Sequence, residues 1–316
     1  MYQNKRFLLI AGGGTLGSYV SQELLAKGAY VDVICLEDNV SENARLTYYK
    51  GYVTEELLRS LFAKAHYDGI VNFIHYKRVE DYRAMHKLLI ANTDHLIFLS
   101  SYRVYADEQH PITEAAPRLL DVTEDKEFLA VEDYALPKAR MEDFLRSEHA
   151  GEAWTIVRPV ISFSYRRFDL YTYSDNDIWE TVASGGTLKL PAEAKEQVAG
   201  LDWAGNSGKL IANLFLKPET FGEAYTISTA QNLTWGEVAE LYKEQFGLSV
   251  EWCDEAEFVK AYPCVEGIKK WLWLYDRKFS RDMDNKKVLA ATGLQASDFK
   301  SIADGLKIEL ELKQKK

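Results

Sequence analysis

Short apolar runs alternate with helically spaced stretches along the first half of the chain. The runs "RFLLIAG" and "LIFL" are nearly continuous in apolar residues, which is typical of strands buried on both faces of a sheet. The stretches "LGSYVSQELLAKG" and "YALPKARMEDFLRSE" instead have the spacing of helices. Because a strand follows each helix, the pattern predicts right-handed β-α-β crossovers and an α/β fold with a Rossmann-type, doubly wound parallel sheet.

The alternation loosens after Pro159, where aromatic and polar residues dominate residues 163–180. A later run, "EAYTIS", has the pattern of a further strand, and we predict that it joins the sheet from the second half of the chain. The second part of the chain is therefore predicted to form a smaller, mixed α/β lobe. The predicted Rossmann-type domain comprises residues 1–165 and 199–230, and the predicted C-terminal lobe comprises residues 166–198 and 231–316.

Composition narrows the class of protein and of partner. Hydrophobic residues make up 47% of the chain, enough for a large core, and the net charge of −10 disfavours general binding to nucleic acid. The sequence contains no run of 18 apolar residues, so we expect no membrane partner. The three cysteines are unclustered and the histidines lack the spacing of metal ligands, so we expect reduced thiols, no metal site and a cytoplasmic location.

The turn between the first strand and the first helix has the spacing G-x-G-x-x-G, formed by Gly12, Gly14 and Gly17. Such a turn lets the backbone approach a pyrophosphate closely at the positive end of a helix dipole, although a purely structural glycine turn is the alternative. Glu37 and Asp38 end the next strand, where a carboxylate holds a ribose 2′-hydroxyl and repels a 2′-phosphate, so NAD is predicted in preference to NADP. The predicted contacts of the turn are Gly12, Gly14, Thr15, Leu16 and Gly17.

A second group of residues has the chemistry of proton transfer. Tyr134 and Lys138 lie four residues apart on one face of a predicted helix, and Ser101 ends a predicted strand at the carboxyl edge of the sheet. A free tyrosine has a pKa of about 10, and a nearby ammonium group lowers that pKa toward the working pH. We predict that Tyr134 moves a hydroxyl proton and that Ser101 positions the reacting oxygen. Lys138 is predicted to lower the tyrosine pKa and to bind the cofactor.

These motifs resemble those of the extended short-chain dehydrogenase/reductases, specifically of the NAD-dependent epimerase/dehydratase family that acts on nucleotide sugars. "SSYRVY" resembles the family's S-S-x-x-V-Y, "PITEAAP" resembles its P-x-x-E-x-x-P, and Tyr134, Lys138 and Glu142 resemble its Y-x-x-x-K-x-x-x-E. The resemblance implies that Ser101, Tyr134 and Lys138 are catalytic and that the protein is an NAD-dependent oxidoreductase or isomerase with a nucleotide-sugar substrate. It also implies that the Rossmann-type domain, with Tyr134 and Lys138, binds the dinucleotide and that the C-terminal lobe binds the substrate. A homodimer is the assembly that we consider.

Several positions depart from the family pattern. The family's first glycine falls on Ala11, and its acidic residue that contacts adenine falls on Tyr52. Asn72 stands at the family's usual histidine and is predicted to contact the cofactor, while the second aspartate of V-x-V-D-D-x-A falls on Trp203. These departures leave open a second function, namely a dinucleotide-binding sensor or scaffold protein without turnover. An RNA-associated role is disfavoured by the net charge and by the lack of interleaved aromatic and basic residues.

The residues after the serine distinguish reaction types. Dehydration in this family needs acidic residues near the serine, and "SYRVY" offers Tyr102 and Arg103 there instead. We therefore favour an epimerase or a reductase over a dehydratase. Arg166 and Arg167 are suited to bidentate pairing with a diphosphate. The predicted substrate contacts are Tyr102, Arg103, Arg166 and Arg167.

Overall fold

A sheet of seven parallel strands forms the centre of the computed structural model, which describes residues 2–315. The strands of this range are β1 (Arg6–Ile10), β2 (Tyr30–Cys35), β3 (Leu46–Lys50), β4 (Gly69–Asn72), β5 (Leu96–Leu99), β6 (Trp154–Pro159), β7 (Ile161–Phe163), β8 (Thr187–Pro191), β9 (Leu201–Trp203), β10 (Glu223–Ile227) and β11 (Ser249–Cys253). The order in the central sheet is β10-β6-β5-β4-β1-β2-β3. The predicted Rossmann-type fold is confirmed, and β10 joins the sheet from the second half of the chain.

Helices follow most of the strands and cover both faces of the sheet. In chain order they are α1 (Thr15–Ala26), α2 (Glu55–Phe62), α3 (Val79–Ile90), α4 (Leu119–Val122), α5 (Lys126–Val131), α6 (Ala135–Glu148), α7 (Asp175–Ser184), α8 (Ala204–Ala212), α9 (Trp235–Phe246), α10 (Glu255–Ala261), α11 (Lys270–Leu272), α12 (Lys286–Thr292) and α13 (Ile302–Gln314). The predicted helices of the first half correspond to α1, α2, α3 and α6.

The two faces of the sheet bury different side chains of the same strands. In β1, Leu9 faces the cluster formed with α1 and α8, whereas Leu8 and Ile10 face the cluster formed with α2, α3 and α6. This alternation follows from the two-residue period of a strand. Burial on both faces explains why β1 and β5 are apolar at nearly every position.

Strand β3 is the part of the sheet that the sequence pattern did not predict. It pairs only with β2, at one edge of the sheet, and its residues are half-buried or exposed. An edge strand needs no continuous apolar run, and "LTYYK" has none. Its pairing with β2 therefore has little signature in the local sequence.

A third cluster of buried side chains lies mainly among the elements that follow Pro159. Phe168, Trp235, Phe258 and Trp273 are buried in it. Two short parallel pairs, β7 with β9 and β8 with β11, also belong to this part of the chain. The exact division of the chain into two domains stays a prediction.

Within residues 2–315, no helix is both long and apolar enough to cross a membrane. Cys35 lies in β2, Cys253 in β11 and Cys264 in a short turn after α10, and all three are free thiols.

Candidate active site

The glycine turn connects β1 to α1 at the carboxyl edge of the sheet. The backbone N–H of Gly12 donates to the carbonyl of Ile34 at 3.0 Å, which ties the turn to β2. A Cβ atom on Gly17 would lie 2.2 Å from the carbonyl oxygen of Gly12, so only glycine lets α1 start this close to the turn. Ala11, at the position of the family's first glycine, has a φ of +55°, in the left-handed region that favours glycine.

A cavity of about 370 Å³ lies between this turn and the end of β2. A Cβ atom on Gly13 would lie 2.5 Å from Oε2 of Glu37, so the Glu37 carboxylate packs directly on the glycine. Asp38 is turned away and forms an exposed ion pair with Lys50 at 2.8 Å. Tyr52, 78% exposed, stands at the rim. The bare glycine cradle and the carboxylate beside it fit the adenosine half of a dinucleotide.

A second cavity, the cleft, has a volume of about 530 Å³ and brings predicted catalytic residues to the same glycine turn. Ser101 follows β5 and Tyr134 precedes the first residue of α6, and both line the cleft. The glycine turn lines it too, through Gly14, Thr15, Leu16 and Gly17. Because the carboxyl ends of parallel strands meet at one edge, the turn after β1 and the serine after β5 become neighbours.

Ser101 and Tyr134 both line the cleft. The Oγ of Ser101 accepts from the backbone N–H of Arg103 at 3.2 Å, which leaves the serine proton free to be donated. Burial raises the pKa of Tyr134, while the charges of Arg103 and Arg167 and the hydroxyl of Ser101 act in the opposite direction. The guanidinium carbon of Arg103 lies 5.2 Å from the centroid of the Tyr134 ring.

Lys138 lies one turn further along α6 and is fully buried. Its Nζ donates to the carbonyl of Leu99 at 2.5 Å and to that of Ile74 at 3.4 Å. Burial lowers the pKa of Lys138 to about 7, against the opposing effect of Glu142. The sequence predicted that this ammonium lowers the pKa of Tyr134. The cations that lower it in the structure are Arg103 and Arg167.

The sequence of residues 8–175 matches the family model described as the NAD dependent epimerase/dehydratase family. The chain belongs to this family. The family is NAD-dependent, which confirms NAD as the predicted cofactor. No curated protein matches the chain in sequence.

Solved structures share the fold of this family member at low sequence identity. A putative epimerase from Burkholderia cenocepacia J2315 has a TM-score of 0.72 at 14% identity, and the match covers 100% of both chains. UDP-glucose 4-epimerase from Thermotoga maritima has a TM-score of 0.69 at 17% identity, covering 98% of this chain and 99% of the other. UDP-N-acetylglucosamine 4-epimerase from Methanobrevibacter ruminantium M1, in complex with UDP-N-acetylmuramic acid, has a TM-score of 0.67 at 17% identity, covering 98% and 96%.

Asn72 was predicted to contact the cofactor, and its side chain in this epimerase/dehydratase chain is fully buried. The Nδ2 donates to the hydroxyl of Tyr76 at 3.0 Å, and the Oδ1 accepts from the backbone N–H of Ile74 at 3.1 Å. The amide therefore shapes the turn after β4. It borders neither cavity, so the structure does not support a direct contact between this side chain and a dinucleotide.

Two predicted substrate contacts also have other partners. The hydroxyl of Tyr102 borders the cleft but donates to Asp276 at 2.8 Å and accepts from Arg277 at 2.9 Å. Arg166 is placed on the glycine turn, where its Nη1 donates to the carbonyl of Gly13. Arg103 and Arg167 line the cleft itself.

The cleft also contains charged residues that the sequence analysis did not identify. Arg277 reaches it from the turn after α11, and Asp169 reaches it from the segment after β7. Arg277 lies within the aromatic stretch "KKWLWLYDRKF", residues 269–279. Asp276 and Arg277 are adjacent charged residues within this stretch, and they were the available signal. A charged pair is rarely buried in an apolar stretch unless it has polar partners there.

Outside the cleft, one group in the described chain could share a metal ion. Ligand atoms of His86, His149 and Glu152 lie within 4.8 Å of one another. The Glu152 carboxylate contacts His86 Nε2 at 2.8 Å and His149 Nδ1 at 2.9 Å. These bonds hold α3 against the turn before β6, at the edge of the sheet opposite the cleft.

Proposed function

We propose that this chain is an NAD-dependent oxidoreductase or isomerase whose substrate is a nucleotide sugar. The observation that carries the proposal is that Ser101 and Tyr134 line the same cleft as the glycine turn. Hydroxyl groups suited to moving a proton and a turn suited to a pyrophosphate therefore border one cavity. The solved epimerases that share the fold include enzymes named for UDP-sugars, which supports the same class of substrate.

Each residue has a separate role in this proposal. NAD, when bound, supplies the hydride chemistry at a sugar carbon. Tyr134 takes the proton from the sugar hydroxyl and returns it, and Ser101 holds the oxygen that changes protonation. Glu37 binds the adenosine ribose beside the glycine turn, and Lys138 serves the second ribose, as the family resemblance implies.

The carboxylates of the cleft distinguish the reaction types. Among the described residues that line it, the acidic one is Asp169, and its Oδ2 accepts from Nε of Arg167 at 2.5 Å. Dehydration in this family needs an acid–base pair of carboxylates, and this one is engaged by Arg167 without a second acid beside it in the described lining of the cleft. We therefore propose epimerisation or reduction in preference to dehydration.

The test is turnover of a panel of UDP-, GDP- and dTDP-sugars with NAD⁺ for epimerisation, and of the corresponding keto sugars with NADH for reduction, by wild type and by Tyr134→Phe. We expect an epimerised or reduced sugar from wild type and a loss of about 10²–10⁴-fold in kcat for the variant, the usual worth of acid–base catalysis. Affinity for NAD should stay nearly unchanged, because only the phenolic oxygen is lost. Tyr30→Phe, in β2 and remote from the cleft, is the matched control.

Two outcomes would contradict the proposal in different ways. Full activity of Tyr134→Phe would exclude the proton relay. Binding of NAD without turnover of any member of the panel would favour the alternative, a dinucleotide-binding sensor or scaffold that retains the fold.

A further inference from the structure

The charges that line the cleft are unbalanced toward positive. Three guanidinium groups line it, those of Arg103, Arg167 and Arg277, against the single carboxylate of Asp169 among the described lining residues. The other acids of this region lie behind the wall of the cleft. Grouped cations of this kind recruit an anion when they are partly withdrawn from water.

The carboxylate behind the wall is shared among several cations. Asp276 is buried and contacts Arg281 at 3.1 Å, Arg277 at hydrogen-bond distance and Arg103 at 3.8 Å. Arg103 is the cation that Asp276 reaches least well, because its Nε stays 3.8 Å from the carboxylate. Arg277 donates hydrogen bonds to Asp276 and to the hydroxyl of Tyr102. Arg103 is too far from Asp276 to donate one.

Arg103 retains an unused donor. Its Nη2 donates to Asp133 at 2.8 Å and its buried Nε faces Asp276, while within residues 2–315 its Nη1 makes no hydrogen bond. That nitrogen can donate to an acceptor on a ligand in the cleft, which Arg103 lines. Because its guanidinium lies against the ring of Tyr134, the acceptor belongs close to the proton relay.

Arg167 presents its charge directly to the cleft. Its Nε is held by Asp169, while its terminal nitrogens make no hydrogen bond in the described part of the chain. The side chain is 52% exposed although it lines a concave cavity. Asp169 thus fixes the direction of the guanidinium and leaves its fork free for a planar anion.

We propose that Arg103 and Arg167 bind a carboxylate on the sugar ring, so that the preferred substrate is a nucleotide-linked uronic acid. This inference rests on the proposed function. A ring carboxylate lies within one sugar ring of the reacting hydroxyl, as Arg103 lies beside Tyr134. The diphosphate offers the same anionic chemistry, but it is joined to the anomeric carbon and is present in neutral and acidic nucleotide sugars alike.

The test compares matched acidic and neutral ligands on NAD-loaded protein by calorimetry. The pairs are UDP-glucuronate with UDP-glucose and GDP-mannuronate with GDP-mannose. In the pair that binds, we expect wild type to prefer the acid by about tenfold or more, as bidentate guanidinium–carboxylate pairing allows. Arg167→Gln should abolish that preference and change the affinity for the neutral sugar less than about twofold.

Further variants separate the anion site from folding. Arg167→Lys keeps the charge without the fork and should retain part of the preference. Arg140→Gln removes an exposed guanidinium that pairs with Glu132, remote from the cleft, and should retain all of it. An unchanged thermal midpoint of Arg167→Gln would verify that the variant is folded.

Three results would overturn the inference. Equal affinity of wild type for the acidic and neutral members excludes the carboxylate site while leaving the proposed function intact. An equal loss for both members in Arg167→Gln assigns the arginine to the diphosphate instead. No binding of either pair to protein that does bind NAD contradicts the proposed function itself, and the anion site with it.

Discussion

Ala11 holds a backbone conformation that glycine adopts without steric strain. A left-handed φ costs a non-glycine residue roughly 1–2 kcal/mol. Glycine avoids this strain, but it loses more conformational entropy on folding, which offsets part of the gain. Ala11→Gly should therefore raise the free energy of unfolding by about 0.5–1 kcal/mol, measured by urea denaturation. Ala26→Gly is the matched control, because Ala26 is helical in α1 and the change there should lower stability. A loss of stability in Ala11→Gly would mean that the turn does not strain the alanine.

Lys138 should make stability depend on pH. The pKa is lowered by burial to about 7 in the folded chain, against about 10.4 in an unfolded one, so between these values the unfolded state binds the extra proton. The resulting destabilisation is fully present below about pH 7 and disappears as the pH rises toward 10. Lys138→Met removes this destabilisation, so its advantage in the free energy of unfolding over wild type should be largest near pH 7. That advantage should shrink by on the order of 3 kcal/mol from pH 7 to pH 10.

The measurement is urea unfolding of both proteins across that pH range. Lys243→Met is the control, because Lys243 is exposed and forms an exposed ion pair with Glu240 at 3.2 Å. A difference between Lys138→Met and wild type that does not vary with pH would show that the lysine is charged in the folded protein.

At the scale of elements, one buried carboxylate fastens α6 to the sheet. Glu142 accepts from Ser100 at 2.6 Å and from Nε of Arg158 in β6 at 2.8 Å. Burial disfavours its charge, yet Arg158 and Ser100 lower the pKa of Glu142 to about 2. This anchor sits one helical turn beyond Lys138 and so holds the helix that positions Tyr134.

Glu142→Gln should lower the free energy of unfolding by about 3–5 kcal/mol, because it leaves the Arg158 guanidinium buried without its counter-charge. The advantage of wild type should be full above about pH 4.5, the ordinary range of a glutamate, and should shrink as the pH falls toward 2. Glu132→Gln, which breaks an exposed pair with Arg140, should cost less than about 1 kcal/mol. Similar losses for the two variants would argue against a buried anchor.

The sequence predicted those elements whose pattern is local. Strands β1 and β5 are buried on both faces, and their apolar runs record that burial. Ser101 and Tyr134 were predictable because each lies at the junction of a strand or turn with a helix, within a short motif. β3 was missed because its own sequence has no apolar run, and its place in the sheet comes from its pairing with β2. Asp169 and Arg277 were missed because only the tertiary fold brings them to the cleft.

At the scale of the whole molecule, the last helix is tied to the first one. Glu309 in α13 is buried and accepts from the hydroxyl of Tyr19 in α1, from Nε1 of Trp203 at 2.5 Å and from the backbone N–H of Tyr165 at 2.7 Å. Trp203 stands where the family pattern has its second aspartate. The substituted position is therefore part of the contact that joins the two halves of the chain.

The position of β10 in the sheet has a consequence for synthesis of the chain. β6 is complete at Pro159, but its outer neighbour begins at Glu223. At about 5–20 residues per second, a ribosome needs roughly 3–13 s to add residues 160–222. During that interval the nascent sheet has an open strand edge, and such an edge recruits strands of other chains. Yield of soluble protein should therefore depend on the rate of translation through this interval, and not only on the stability of the finished fold.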